Sequence, residues 1–393
     1  MKLVAGRPDD AGISDSAAEL ILKRAEEWVA DGIHPSLVLL AARRGVVFFH
    51  EAFGVLTPQK GSQRLPKDAI FPLASITKTL TATAAMLLVE DGRLGLNRRV
   101  QEYIPEWVGN NKDQVRVHHL LTHTAGLPDD DRVFSTILER DEGGVETPPA
   151  GDTADPAIHR RLHLGLDIPL ELEPGSEMQY SSYGIYLLAE IIRRITGQSL
   201  EGFASERMFD PLRMSDTHYT VPKGKWGRIP VRPAEALALE GFNVIEDYVE
   251  PSPSGGAYST AMDMAIFSQM LLNGGTYDGV RILSPVTIRA MTRNQLPGIS
   301  ARMLGETFPE AGWGLGWSVN AAYKGKGYGE AMVSSSTFLH GGFGGVLLWI
   351  DPDLEIVGVY FSIQMGPPDG DEHLVNADLF MNMVAAAVED PPR

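Results

Sequence analysis

No cysteine occurs among the 393 residues of this chain. That absence removes disulfide staples, thiolate nucleophiles, iron–sulfur clusters and cysteine-ligated zinc together, while leaving the compartment open. No run reaches the roughly 18 apolar residues that a spanning helix needs. The first twenty residues also lack a basic stretch followed by about 7–15 apolar residues, the mark of a secretory signal, so the expectation is a soluble, cytoplasmic protein. Basic charge is scarce as well. The chain carries 34 Lys and Arg against 51 Asp and Glu, a formal net charge of −17. An acidic surface repels phosphate backbones and anionic lipid, so nucleic acid and membranes are not expected partners.

What is present is an ordinary globular composition, 44% hydrophobic and 22% charged, which excludes disorder as the main state. At roughly 100–200 residues per domain the length suits two or three domains with a large core. Ser14-Asp15 caps a helix predicted over residues 17–30, where Leu20, Ile21, Ala25, Trp28 and Val29 recur at helical spacing. The β-rich runs 37–42 and 46–53 flank Arg43-Arg44-Gly45 and predict a hairpin, and 345–350 with 355–361 predict a second around the turn 351–354. A terminal helix is expected over 377–388. Residues 93–300 are mostly helical in pattern, as in 187–196 and 262–272, and are broken by Pro/Gly loops. Strands at both ends with helices between predict an α/β domain built from 1–92 plus 301–393, and a helical domain with long loops over 93–300. The stretch 128–174, rich in Asp, Gly and Pro, reads as a long excursion.

The most suggestive chemistry lies within 71–88, where Ser75 is expected to open a long helix with Lys78 one turn on. Ser and Lys at i and i+3 share a helix face, so the amine reaches the serine oxygen. The helix N-terminus adds positive potential and unbonded N–H groups beside a developing oxyanion. A serine at a helix start is also a common N-cap, and one Ser-x-x-Lys match is weak by itself. Yet residues 79–89 are uncharged, which predicts a helix buried all round, and burying Lys78 at its start needs a reason. Tyr180-Ser181-Ser182-Tyr183-Gly184 reads as a loop-to-helix junction, where Tyr180 is either a reactive phenol or a half-buried aromatic cap. His340-Gly341-Gly342-Phe343-Gly344-Gly345 is expected just before a strand, either to let a substrate lie against the backbone or as a flexible strand entry.

Ser75-Ile76-Thr77-Lys78, Tyr180-Ser181-Ser182 and His340-Gly341-Gly342 together resemble the three elements of penicillin-recognising serine hydrolases. The resemblance is closest to the class C β-lactamase-like branch, with its family VIII carboxylesterases, D-alanyl-D-alanine carboxypeptidases and D-aminopeptidases. Val117-His118-His119-Leu120-Leu121-Thr122-His123-Thr124-Ala125-Gly126-Leu127, Pro211-Leu212-Arg213-Met214-Ser215-Asp216-Thr217, Ser254-Gly255-Gly256-Ala257-Tyr258-Ser259-Thr260 and Trp313-Gly314-Leu315-Gly316-Trp317 also resemble it. The likeness runs from about residue 10 to 390. It implies an α+β fold of the β-lactamase/transpeptidase type, an antiparallel sheet from both chain ends flanked by helices, with the active site where the two domains meet.

Carried over position by position, the resemblance implies Ser75 as the acylated nucleophile, Lys78 as its activating partner and Tyr180 as general base. The backbone N–H groups of Ser75 and Phe343 would form the oxyanion hole, and Ser182, His340, Gly341 and Gly342 would contact substrate. No cofactor or metal is implied. Two departures bear on substrate. Related β-lactamases have Tyr-x-Asn where this chain has Tyr180-Ser181-Ser182, and Lys-Thr-Gly where it has His340-Gly341-Gly342. A side-chain amide and a permanent cation are thus exchanged for a hydroxyl and a titratable imidazole, which suits a neutral ester better than a β-lactam. With an ordinary pKa near 6.5, His340 is expected to regain charge as pH falls from about 8 to 5.5.

The expected partner is therefore a small ester or amide, with the oligomeric state open. D-alanyl-D-alanine carboxypeptidase, D-aminopeptidase, β-lactamase and acyltransferase activities are the enzymatic alternatives, and a non-catalytic peptidoglycan-sensing scaffold is the other class. A Ser-His-Asp hydrolase of the α/β type is disfavoured because Gly-x-Ser-x-Gly is absent. The pairs His119/His123 and His159/His163 stand at i, i+4, but no His-Glu-x-x-His accompanies them, and packing is the favoured role.

Overall fold

Arg44 and Gly45 both take positive φ, 52° and 79°, the two-residue turn whose twist matches that of the strands it joins. In this computed structural model, which describes residues 1–32, 34–232, 250–303, 306–319, 332–363 and 376–391, that turn closes the first hairpin. The main sheet has seven strands: β1 (Val4–Ala5), β2 (Ser36–Arg43), β3 (Val46–Gly54), β4 (Ser318–Val319), β5 (Phe338–Gly342), β6 (Val346–Asp351) and β7 (Ile356–Ile363). Their order is β1-β3-β2-β7-β6-β5-β4, antiparallel except for β1 against β3. The two predicted hairpins are joined by β2 and β7, which pair from Ser36↔Ile363 to Arg43↔Ile356.

Every residue of β2 and β7 is buried, because the sheet is covered on both faces. Val38, Leu40, Val359 and Phe361 face one core, while Leu37, Leu39, Leu347 and Trp349 face another. The second core is roofed by α1 (Asp15–Ala30) and α7 (Ala377–Ala386), through Ile21, Ala25, Trp28, Phe380, Met381 and Val384. The first core continues into α2 (Thr77–Glu90), the remaining helices and α6 (Ala261–Leu272), which lies on β2, β6 and β7. Residues from within 93–300 thus cover the sheet as well as building the helical region. Among the described residues, no helix is long and apolar enough to cross a membrane.

One expectation is corrected here and one is made more specific. The stretch 128–174 carries α3 (Asp130–Glu142) and α4 (Pro156–Gly165), capped by the Asp129 and Asp155 carboxylates. Asp and Pro there are helix-start chemistry, an N-cap and a proline in the first turn, rather than signs of irregular chain. His340-Gly341-Gly342 forms the end of β5 itself, and the segment 340–345 leads straight into β6 as its sequence predicts. Residues 233–249 lie outside the described residues.

Candidate active site

Ser75 sits in a single 3₁₀ turn, Ala74–Ile76, ahead of α2, so the long helix begins at Thr77 and not at Ser75. Ala74 enters that turn with φ 43°, a left-handed backbone that costs a non-glycine residue about 1–3 kcal/mol and is held only by its surroundings. Part of what holds it is close contact with β5. A Cβ on Gly342 would lie 2.5 Å from the Leu73 carbonyl oxygen and 3.1 Å from Ala74 Cβ, so only glycine lets the strand approach the turn this closely. Gly342 therefore sets the backbone leading to Phe343 beside the serine's own turn.

The buried helix α2 presents four threonines to the core, and each has a partner. Thr79 and Thr83 donate to the Ile76 and Thr79 carbonyls, Thr81 donates to the Pro253 carbonyl, and Thr77 Oγ1 accepts from the Ala257 N–H. The segment 252–257 is thereby tied along the helix. Hydroxyls of Tyr186, Ser252 and Ser254 continue the network, 3.0 and 3.2 Å apart in turn.

Lys78 is 1% exposed and donates two hydrogen bonds, to Ser75 Oγ at 3.0 Å and to the Ser254 carbonyl at 2.9 Å. Its Nζ also lies 4.8 Å from the centre of the Tyr180 ring, within cation–π range. Burial pulls its pKa down to about 8, and the negative charge of Asp130 works against that fall. Such an amine exists in both protonation states near neutral pH. Ser75, by contrast, is half-buried and so reachable from solvent.

Tyr180 follows the short strand Met178–Gln179 and precedes α5 (Tyr183–Thr196), at the loop-to-helix junction its sequence predicts. Its ring packs on His123 at 4.5 Å between centres, with Trp313 at 5.8 Å and His340 at 6.4 Å. The Trp313 indole donates to the Leu121 carbonyl. His123 Nδ1 accepts from the Ser181 N–H, which fixes the ring against the phenol, and burial holds its pKa well below 6.5. The expected packing role for this histidine agrees with that bond. His119 Nδ1 likewise accepts from the Arg116 N–H.

His340 lies beside Tyr180, but not in the charge state expected of it. Burial first, and the Lys78 charge second, hold its pKa at about 3, so the ring stays neutral between pH 8 and 5.5. Ser182 is also differently engaged. Its N–H and its hydroxyl each bond one oxygen of the Asp130 carboxylate, both at 2.6 Å. Sequence reasoning singled out neither Asp130 nor the Ser254 carbonyl, and assigned no role to Trp313. The only sequence signal for Asp130 is the Asp129 cap that starts its helix.

Three kinds of likeness bear on the family and the fold. A Salmonella newport protein provisionally named a D-alanyl-D-alanine carboxypeptidase is 26% identical, over 89% of this chain and 83% of its own length. The solved structure of a penicillin-binding protein homologue from Caulobacter crescentus superposes with a TM-score of 0.74 at 23% identity, covering 94% of this chain and 97% of that one. A family VIII carboxylesterase gives a TM-score of 0.68 at 21% identity, covering 94% and 96%. The fold is thus of the β-lactamase/transpeptidase type, and since residues 23–380 match the family model described as Beta-lactamase, the chain belongs to that family.

Proposed function

We propose that this protein is a serine hydrolase that cleaves carboxylic esters through an acyl-enzyme on Ser75. The observation that carries the reading is the buried Lys78 amine, 3.0 Å from a solvent-reachable serine hydroxyl and poised by burial at a pKa of about 8. In its neutral form this amine takes the Ser75 proton, directly or shared with Tyr180, as Oγ bonds the ester carbon. The carbonyl π electrons move to oxygen, and the Ser75 and Phe343 N–H groups serve as the donors to that oxyanion. The C–O bond to the leaving alcohol then breaks, and the alkoxide recovers the proton from the Lys78–Tyr180 pair. Water repeats the sequence on the acyl-enzyme, returning Ser75 and releasing the acid.

Ester rather than β-lactam or peptide substrates follow from charge. A β-lactam or a D-alanyl-D-alanine end presents a carboxylate, and the neutral His340 offers it no cation. A charge-assisted hydrogen bond lost to a carboxylate is worth about 1.5–3 kcal/mol, or roughly 10–150-fold in rate, whereas a neutral ester loses little. The carboxylesterase among the structural neighbours supports the same substrate class. Intact-mass measurement after brief exposure to p-nitrophenyl butyrate is expected to show one acyl adduct on the native chain and none on Ser75→Ala. Equal labelling of both would refute the assignment.

A further inference from the structure

The groups around Tyr180 share a polarity that the proposed ester chemistry does not use. Ser182 directs its N–H and its hydroxyl away into Asp130, so what that position offers beyond itself is a carboxylate, an acceptor only. Asp130 is partly exposed, hence reachable, yet dry enough that burial pushes its pKa up. Two hydrogen bonds from one serine leave further lone pairs on an under-solvated anion.

His340 makes a second, independent statement. Its Nδ1 lies 2.7 Å from the Gly341 carbonyl, which can only accept, so Nδ1 carries the proton and Nε2 carries the lone pair. That Nε2 is buried in a residue only 4% exposed and has no hydrogen-bond partner among the described residues. A buried acceptor left unpaired is rare enough to point to a donor supplied from elsewhere. Both positions where the β-lactamase pattern places donors therefore carry acceptors here.

We propose that the acyl side of this pocket binds a cationic donor, an ammonium on the substrate's acyl group held by the Asp130 carboxylate, so that aminoacyl esters are preferred to their apolar isosteres. The inference rests on the proposed esterase site, which it deepens by naming the acyl group. Lys78 opposes an incoming cation, and no carboxylate among the described residues lies within ion-pair distance of it. The ammonium must accordingly sit on the Ser182 side, where Asp130 answers both charges.

Binding tests this apart from catalysis. Dissociation constants measured by ligand-observed NMR on Ser75→Ala are compared for alaninamide against isobutyramide, and β-alaninamide against butyramide, each pair matched in shape. At least one ammonium amide is expected to bind tenfold or more tighter than its isostere, and Asp130→Asn in the same background is expected to erase the preference. No tenfold preference in either pair, or a preference that survives Asp130→Asn, overturns the proposal, and the first comparison needs no change at Asp130. Failure of the underlying esterase reading has a different signature: hydrolysis of methyl isobutyrate, followed by pH-stat, that persists in Ser75→Ala.

Discussion

Replacing Lys78 by methionine is expected to slow turnover severely without destabilising the fold. The amine is held at about 8 against its ordinary 10.5. At 1.36 kcal/mol for each factor of ten, burying its charge costs about 3 kcal/mol at neutral pH. Lys78→Met removes that penalty and fills the same volume with a flexible apolar chain. It also deprives the buried Ser254 carbonyl of its donor, a loss of about 1–3 kcal/mol. The net is a gain of about 0–2 kcal/mol at pH 7, alongside a fall in kcat of about 10²–10⁴, the ordinary range for a general base. The sign of the pH dependence follows from the depressed pKa. Between pH 8 and 10.5 the unfolded chain binds a proton at Lys78 that the folded chain has released, so native stability rises with pH there and the variant's advantage shrinks. Urea unfolding of both proteins at pH 7 and pH 10 isolates this group, because every other titration is common to the pair. A variant less stable than the native chain at pH 7, or a gap unchanged at pH 10, would show that burial of the charge is not what sets this amine.

Gly342→Ala is expected to destabilise the fold by about 1–3 kcal/mol by overpacking, and to lower kcat about 10²-fold by pushing the Ser75 turn off its geometry, measured by urea unfolding and p-nitrophenyl butyrate kinetics. Full activity in that variant would mean the close approach of β5 is incidental. Tyr180→Phe and Lys78→Met are expected to cost nearly as much singly as together, since groups that move one proton act as a unit; losses that multiply independently would separate them. With His340 neutral throughout, the ratio of kcat/KM for nitrocefin to that for p-nitrophenyl butyrate is expected to stay flat from pH 8 to 5.5, and a ratio that climbs in acid would place its pKa far above 3.

The parts of this fold legible in the sequence are those written locally. Arg44-Gly45 marks its hairpin, the uncharged run after Lys78 marks a fully buried helix, and the Ser75–Lys78 spacing brings two groups together within one turn. The Ser254 carbonyl lies 176 positions from the lysine it binds, and Asp130 lies 52 from Ser182, so no periodicity links them. His340 was legible as a residue but not as a charge, because its pKa follows from burial by Trp313, Tyr180 and the strand around it. Gly341-Gly342 suggests loop by composition, yet both stand in a strand, and a Cβ on Gly342 would strike the nucleophile's turn.

The pairing of β2 with β7 has a consequence for how the chain is made. The ribosome delivers β2, Ser75 and Lys78 long before β7, so at about 5–20 residues per second the open edge of β2 waits roughly 15–60 s for its partner. Through that interval an apolar strand edge faces any other nascent chain nearby, the situation that invites intermolecular pairing. The same order withholds β5, and with it the backbone wall behind Ser75, until long after the serine itself has emerged. Catalytic competence is therefore a late event of synthesis, and a truncated translation product carries the reactive serine and lysine without the strand that completes their site.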